Sequence, residues 1–107
     1  MSSKSTFSNS TSQSYALALY ELSKNNSELD KIDEEMKSLN KLLIESSDFK
    51  RIILDPTVAN EDKKNVIFKI ADQNNFSKTL KKFLGFVTIK NRLFFLSKII
   101  ESFLNLV

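Results

Sequence analysis

The stretch Tyr15-Ala16-Leu17-Ala18-Leu19-Tyr20-Glu21-Leu22 decides how this chain is read, because it carries more apolar surface than one buried helix face needs. At 100° per residue, Tyr15, Ala18, Leu19 and Leu22 form an i, i+3, i+4, i+7 stripe. Ala16, Leu17 and Tyr20 make a second apolar strip on the far side, leaving only Ser14 and Glu21 in a narrow polar window. A helix apolar nearly all round is either central in its bundle or offers one side to something outside it.

Working outward, Ser10 with Gln13 matches a capping box and predicts a first helix from about Thr11 to Lys24, closed by Asn25 and Asn26. Residues 1–9, rich in Ser and Thr, read as a flexible polar tail ahead of a helical bundle over 10–107. Ser27 is placed to cap a second helix, whose Leu29, Ile32, Met36, Leu39 and Leu43 form a single clean stripe. Glu28, Asp30 and Asp33 sit near its positive end, where each acid gains roughly 0.3–1 kcal/mol. Asp48 caps a short piece carrying Phe49, Ile52 and Ile53, which must stop before Asp55-Pro56 because the residue preceding proline is pushed out of the α region. Asn60 opens a fourth helix with Val66, Ile67, Ile70 and Ala71 inward and Asn74-Asn75 at its end.

Ser77 caps a fifth helix, with Leu80, Phe83, Leu84 and Val87 in its stripe and Phe86 and Ile89 outside it. Gly85 falls mid-helix, where it costs about 0.8–1.0 kcal/mol relative to Ala. Either another backbone comes close there, with Ala16 and Ala18 the small residues able to meet it, or the glycine is an accident of drift. Asn91 suits the left-handed position that ends a helix. A sixth helix follows with Leu93, Leu96, Ile99, Ile100, Phe103, Leu104 and Val107, and its abrupt apolar end suggests a domain cut from a longer protein.

A chain of 107 residues with one Gly, one Pro and strongly periodic Leu, Ile and Phe predicts an all-α fold, a single-domain six-helix bundle. Its 41% apolar and 27% charged residues fit a globular domain. The longest apolar runs fall far short of the ~20 residues that span a bilayer, so no direct membrane insertion is expected.

With no His and no Cys, the usual general base, thiolate nucleophile and zinc ligands are missing, and disulfides are excluded. One Gly cannot build a phosphate-cradling loop. The neighbouring carboxylates Glu34-Glu35 and Glu61-Asp62 point about 100° apart on their helices, so neither is an acid pair. No catalytic residue, metal or cofactor is expected. The chain reads as a binding module.

Net charge is a mild +3 but unevenly spread, with seven acids between Glu28 and Asp48. Between Phe76 and Ile100 stand Lys78, Lys81, Lys82, Lys90, Arg92 and Lys98 with no acid. That segment reads either as the solvated outer faces of two helices or as a small basic nucleic-acid-binding surface. The spare apolar strips of the first and fifth helices suggest a groove for an amphipathic partner helix, with Tyr15, Phe83 and Phe86 as natural hot spots. The plainer reading makes those two helices simply the central ones of the bundle.

The run Tyr15 to Leu22 resembles the Y-A-x-A-L-[FY]-x-[LA] signature that opens the delta subunit of rotary ATP synthases, whose mitochondrial counterpart is the oligomycin-sensitivity-conferring protein. Asp55-Pro56-Thr57-Val58 is similar to the family's N-P-x-[IV] turn, Glu61-Asp62-Lys63-Lys64 opens a capped helix in the same order, and Lys90-Asn91-Arg92-Leu93 resembles its N-x-R-L. The likeness runs from about Ser14 to Phe103. It implies the N-terminal domain of a non-catalytic peripheral-stalk (stator) subunit of the proton-translocating synthase. It also implies a groove between the first and fifth helices that binds the N-terminal helix of an alpha subunit. A C-terminal region joining the stalk's b subunit would be missing here. The implied place is the cytoplasmic face of the bacterial inner membrane, or the matrix side in a eukaryote, with no nucleic acid as partner.

Carried onto this chain, the resemblance points to Tyr15 and Ala18 from the motif, and to Phe86, six residues before Arg92, as an apolar groove residue. Leu19, Leu22, Phe83 and Val87 join them as helical neighbours. Leu17 departs from the pattern, which often has a charged residue there; it would widen the contact or pack on the tail. Asn91 stands near the family's frequent glycine and tolerates the same backbone shape.

Overall fold

The structure, a computed structural model, describes residues 3–107, with side chains from Ser10 onward. Six helices follow in order: α1 (Ser3–Asn25), α2 (Leu29–Glu45), α3 (Ser47–Leu54), α4 (Asn60–Gln73), α5 (Lys78–Ile89) and α6 (Leu96–Leu106), the last entered through a 3-10 turn at Leu93–Phe95. The described residues contain no strand. The all-helical bundle expected from periodicity is what forms.

Three of the helices stop in the same way. Ser27, Asn75 and Asn91 take the left-handed backbone at φ 57°, 56° and 60°. After each, the chain turns back to close two hydrogen bonds onto the final turn, as where Asn91 N–H reaches the Thr88 carbonyl and Arg92 N–H the Val87 carbonyl, both at 3.0 Å. These bonds satisfy carbonyls that a helix end otherwise leaves without donors. Asn91 does what its sequence position predicted. Ser27 does not: it closes α1 rather than capping α2, whose N-cap is Glu28 without a side-chain bond.

Helix starts show further differences. Ser77 caps α5 as expected, its hydroxyl accepting from Leu80 N–H at 3.2 Å. The short helix α3 is capped by Ser46, which accepts from Phe49 N–H, while Asp48 sits inside the first turn and pairs with Arg51. Asn60 opens α4 as expected, with Ala59 at the N-cap position. Ser10 caps nothing, because α1 runs back through the Ser/Thr-rich segment to Ser3 and Ser10's carbonyl accepts from the Ser14 hydroxyl. The tail expected over 1–9 is thus helical backbone from Ser3, and Met1 and Ser2 lie outside the described residues.

The core is built where the stripes meet. Ile32, Met36 and Leu39 of α2 and Ile99, Ile100 and Phe103 of α6 have no exposed surface. Helix α1 packs chiefly along α6, and α4 along α5. The buried face of α1 is Ser12, Ala16, Leu19 and Ser23, not the expected Tyr15, Ala18, Leu19 and Leu22. Its small side chains let α6 come close, and Ser23 is buried without loss because its hydroxyl donates to the Leu19 carbonyl at 2.7 Å. This rotation turns Ala18 and Leu22 outward.

Gly85 is buried against Phe68 of α4, not against α1. A Cβ there would lie 3.0 Å from Phe68 Cζ and 3.1 Å from Cε1, so the glycine makes room for an aromatic ring rather than for Ala16 or Ala18.

Candidate functional site

The rotation of α1 leaves an apolar furrow between it and α5. Tyr15 bridges the two helices, its ring centroid 6.5 Å from that of Phe83 (edge-on) and 6.0 Å from that of Phe86. Phe83 is held by the core, 8% exposed, whereas Phe86 is 48% and Leu22 44% exposed. Below this aromatic bridge a cleft of about 410 Å³ opens, lined by Leu22, Asn26, Lys78, Thr79, Lys82, Phe83 and Phe86. Two large apolar side chains thus stand open beside one furrow.

Of the residues picked from sequence, Leu22, Phe83 and Phe86 line this furrow and Tyr15 stacks on the two phenylalanines, while Ala18 is exposed on α1 outside the lining. Leu19 and Val87 have no exposed surface and lie in the core, where they hold the two walls in place and touch nothing outside. Sequence reasoning missed Thr79 and Asn26, and it missed that Lys78 and Lys82 line the cleft. The signal for the lysines was present: Lys78, Lys82 and Phe86 recur every fourth residue, on one side of α5. Thr79 is tied across to α2, donating its hydroxyl to Glu28 Oε1 at 2.6 Å, which fixes one end of the cleft.

The other basic residues are occupied differently. Lys81 pairs with Asp72 at 2.8 Å and lies over the Phe68 ring, and Lys90 stands 5.6 Å above the Phe86 ring. Arg92 directs its guanidinium toward the carbonyls of Lys90 and Asn91. Three cations of the basic segment are therefore engaged within the fold rather than presented as one even face.

Leu17 does not widen the furrow. It is exposed on the other side of α1, near Ser102, Asn105 and Leu106 of α6. A second apolar place, around Ile44, Leu54 and Phe94, surrounds a cavity of only about 90 Å³. Among the described residues no cluster of acidic side chains could hold a metal ion, and no helix is long and apolar enough to cross a membrane.

The six-helix bundle and the motifs quoted above have a counterpart in known proteins. The family model of the ATP synthase delta (OSCP) subunit matches residues 11–107. The chain belongs to this family. It is 40% identical over 103 residues to the ATP synthase subunit delta of Pelagibacter ubique, covering 96% of this chain and 56% of that protein. It is 34% identical over 90 residues to the subunit delta of Rhodospirillum rubrum, covering 84% of this chain and 48% of that protein. With the subunit delta of Paramagnetospirillum magneticum it shares 36% over 90 residues, covering 84% and 49% of the two chains. The delta-family chain described here thus spans about half the length of the curated relatives it matches.

Proposed function

We propose that this domain serves a delta-type subunit as a non-catalytic part of the synthase stator, docking on the catalytic head by holding the N-terminal helix of an alpha subunit in the α1/α5 furrow. The part of its relatives that this chain does not cover joins the b subunit of the peripheral stalk in this reading. The domain works as a strut: it carries no proton and hydrolyses nothing, and it sits at the membrane surface only through its neighbours.

The observation that carries the reading is the exposed pair Leu22 and Phe86 lining one furrow together with Phe83, which the core holds and on which Tyr15 stacks edge-on. A partner helix with apolar residues at i, i+3, i+4 and i+7 fills such a furrow. Covering these side chains at about 25 cal/mol per Å² offsets the several kcal/mol lost on association.

Titration of the protein with a synthetic peptide of the alpha-subunit N-terminus tests it. Binding at about 1:1 is expected, weakened by more than ~2 kcal/mol in Tyr15→Ala or Phe86→Ala. Affinity unchanged from wild type in both variants would remove the furrow from consideration.

A further inference from the structure

The two walls of the furrow differ in charge. On the α5 side Lys78 and Lys82 line the cleft one turn apart. On the α1 side the lining residues are Leu22 and Asn26, with no charge. Lys78 and Lys82 have no ion-pair partner among the described residues, unlike Lys37, Arg51 and Lys81, which are each matched by an aspartate. The acids nearest this rim offset it only in part: Glu28, which accepts the Thr79 hydroxyl, is one carboxylate against two lysines, and Glu21 precedes Leu22 by one residue, turned about 100° away around α1.

We infer that this one-sided basic rim sets the direction in which a docked helix lies, by pairing with acidic residues along a single edge of that helix. The inference rests on the furrow reading above and adds to it the chemistry of the partner. The reason is geometric. When a helix lying apolar face down is turned end for end, its left and right edges exchange. An acidic edge then leaves the lysine wall and faces the uncharged one. Apolar contacts alone tolerate both directions far better, since their spacing is similar read from either end. Lys78 to Lys82 spans about 6 Å at 1.5 Å per residue, so about one turn of a partner helix is read this way.

Exposed ion pairs are individually weak, so the expected effect is a modest one that salt removes. The experiment is titration of the alpha-subunit N-terminal peptide into the wild-type protein, the double variant K78Q/K82Q and Phe86→Ala, from about 50 mM to about 500 mM salt. At low salt the double variant should bind about fivefold more weakly than wild type, with the gap closing at high salt. A peptide whose acidic residues are replaced by glutamine should show no difference between wild type and the double variant. Equal affinity and equal salt dependence in wild type and K78Q/K82Q, with Phe86→Ala still weakened, would overturn the charge reading and leave the furrow standing. Failure of wild type to bind, or no loss in Phe86→Ala, would bring down both.

Discussion

The carboxylate of Glu35, buried on α2, receives both the backbone N–H and the hydroxyl of Ser77, at 2.8 and 2.9 Å. Ser77 in turn accepts from Leu80 N–H, so the start of α5 is held by a relay that begins 42 residues earlier in the chain. An anion at this end also faces the positive pole of α5. The bond fixes where α5 begins, and with it where Lys78, Lys82 and Phe86 stand along the furrow. Glu35→Ala leaves two buried donors without an acceptor and should cost about 2–3 kcal/mol in urea unfolding. Glu35→Gln keeps one acceptor oxygen and should cost less. If the alanine variant unfolds at the wild-type midpoint, the relay contributes nothing.

Gly85 sets a second test, because two effects there oppose each other. Replacing it with alanine gains about 0.8–1.0 kcal/mol of helix propensity. Against that, the new Cβ meets the Phe68 ring at 3.0 Å. Phe68 is only partly buried, between the cations Lys64 and Lys81 on its ring, and its ring edge can yield by a few tenths of an ångström. Gly85→Ala should therefore fall within about 1 kcal/mol of wild type, while Gly85→Leu forces α4 and α5 apart and should cost more than ~2 kcal/mol. Thermal unfolding of the two variants distinguishes a close approach from an idle glycine, for which both would be mild.

Such pairings explain what the sequence could and could not convey. The stripes of α2, α5 and α6 were readable because their buried apolar residues are large and recur at helical spacing, and Asn91 announced its turn by its own backbone preference. Helix α1 was readable as a helix but not in its rotation. Hydropathy counts Ser12 and Ser23 as polar, yet both are buried, Ser23 because its hydroxyl bonds within its own helix. Small size, not polarity, decided that face, since α6 lies against it. The Glu35–Ser77 and Glu28–Thr79 links were invisible for another reason: they join α2 to α5 across the fold, and no local pattern encodes such a pairing. The furrow itself was half legible, its aromatic residues from spacing and its basic wall only once α5 was seen against α1.

The turn after α3 carries a pH signature. Asp55 Oδ1 accepts from the Thr57 hydroxyl at 2.6 Å and the Thr57 N–H at 2.8 Å. Those two bonds, with smaller help from Lys63 and Arg51, hold the carboxyl below its ordinary value of 3.8. A carboxyl lowered by folding contributes stability that is present above its unfolded pKa and is lost as pH falls below it. Acidification through 3.8 should therefore weaken wild type more than Thr57→Val, which lacks the hydroxyl. Carboxyl titration by NMR should show Asp55 moving back toward 3.8 in that variant. An unchanged titration would mean that the hydroxyl does not set it.

Leu19 and Leu22 stand one turn apart on α1, and they should separate folding from binding. Leu19 has no exposed surface, and truncation to alanine should cost about 2–5 kcal/mol of stability through the cavity it leaves. Leu22 is 44% exposed on the furrow, so Leu22→Ala should change stability by less than about 1 kcal/mol. The same change removes apolar area that a docked helix would cover, so affinity for the alpha-subunit peptide should fall by about 1 kcal/mol or more. Urea unfolding and peptide titration of both variants make the comparison. A Leu22→Ala protein that is as stable as wild type and binds the peptide equally well would show that the partner helix does not lie along this wall of α1. The furrow would then lose one of the two exposed anchors on which the docking reading stands.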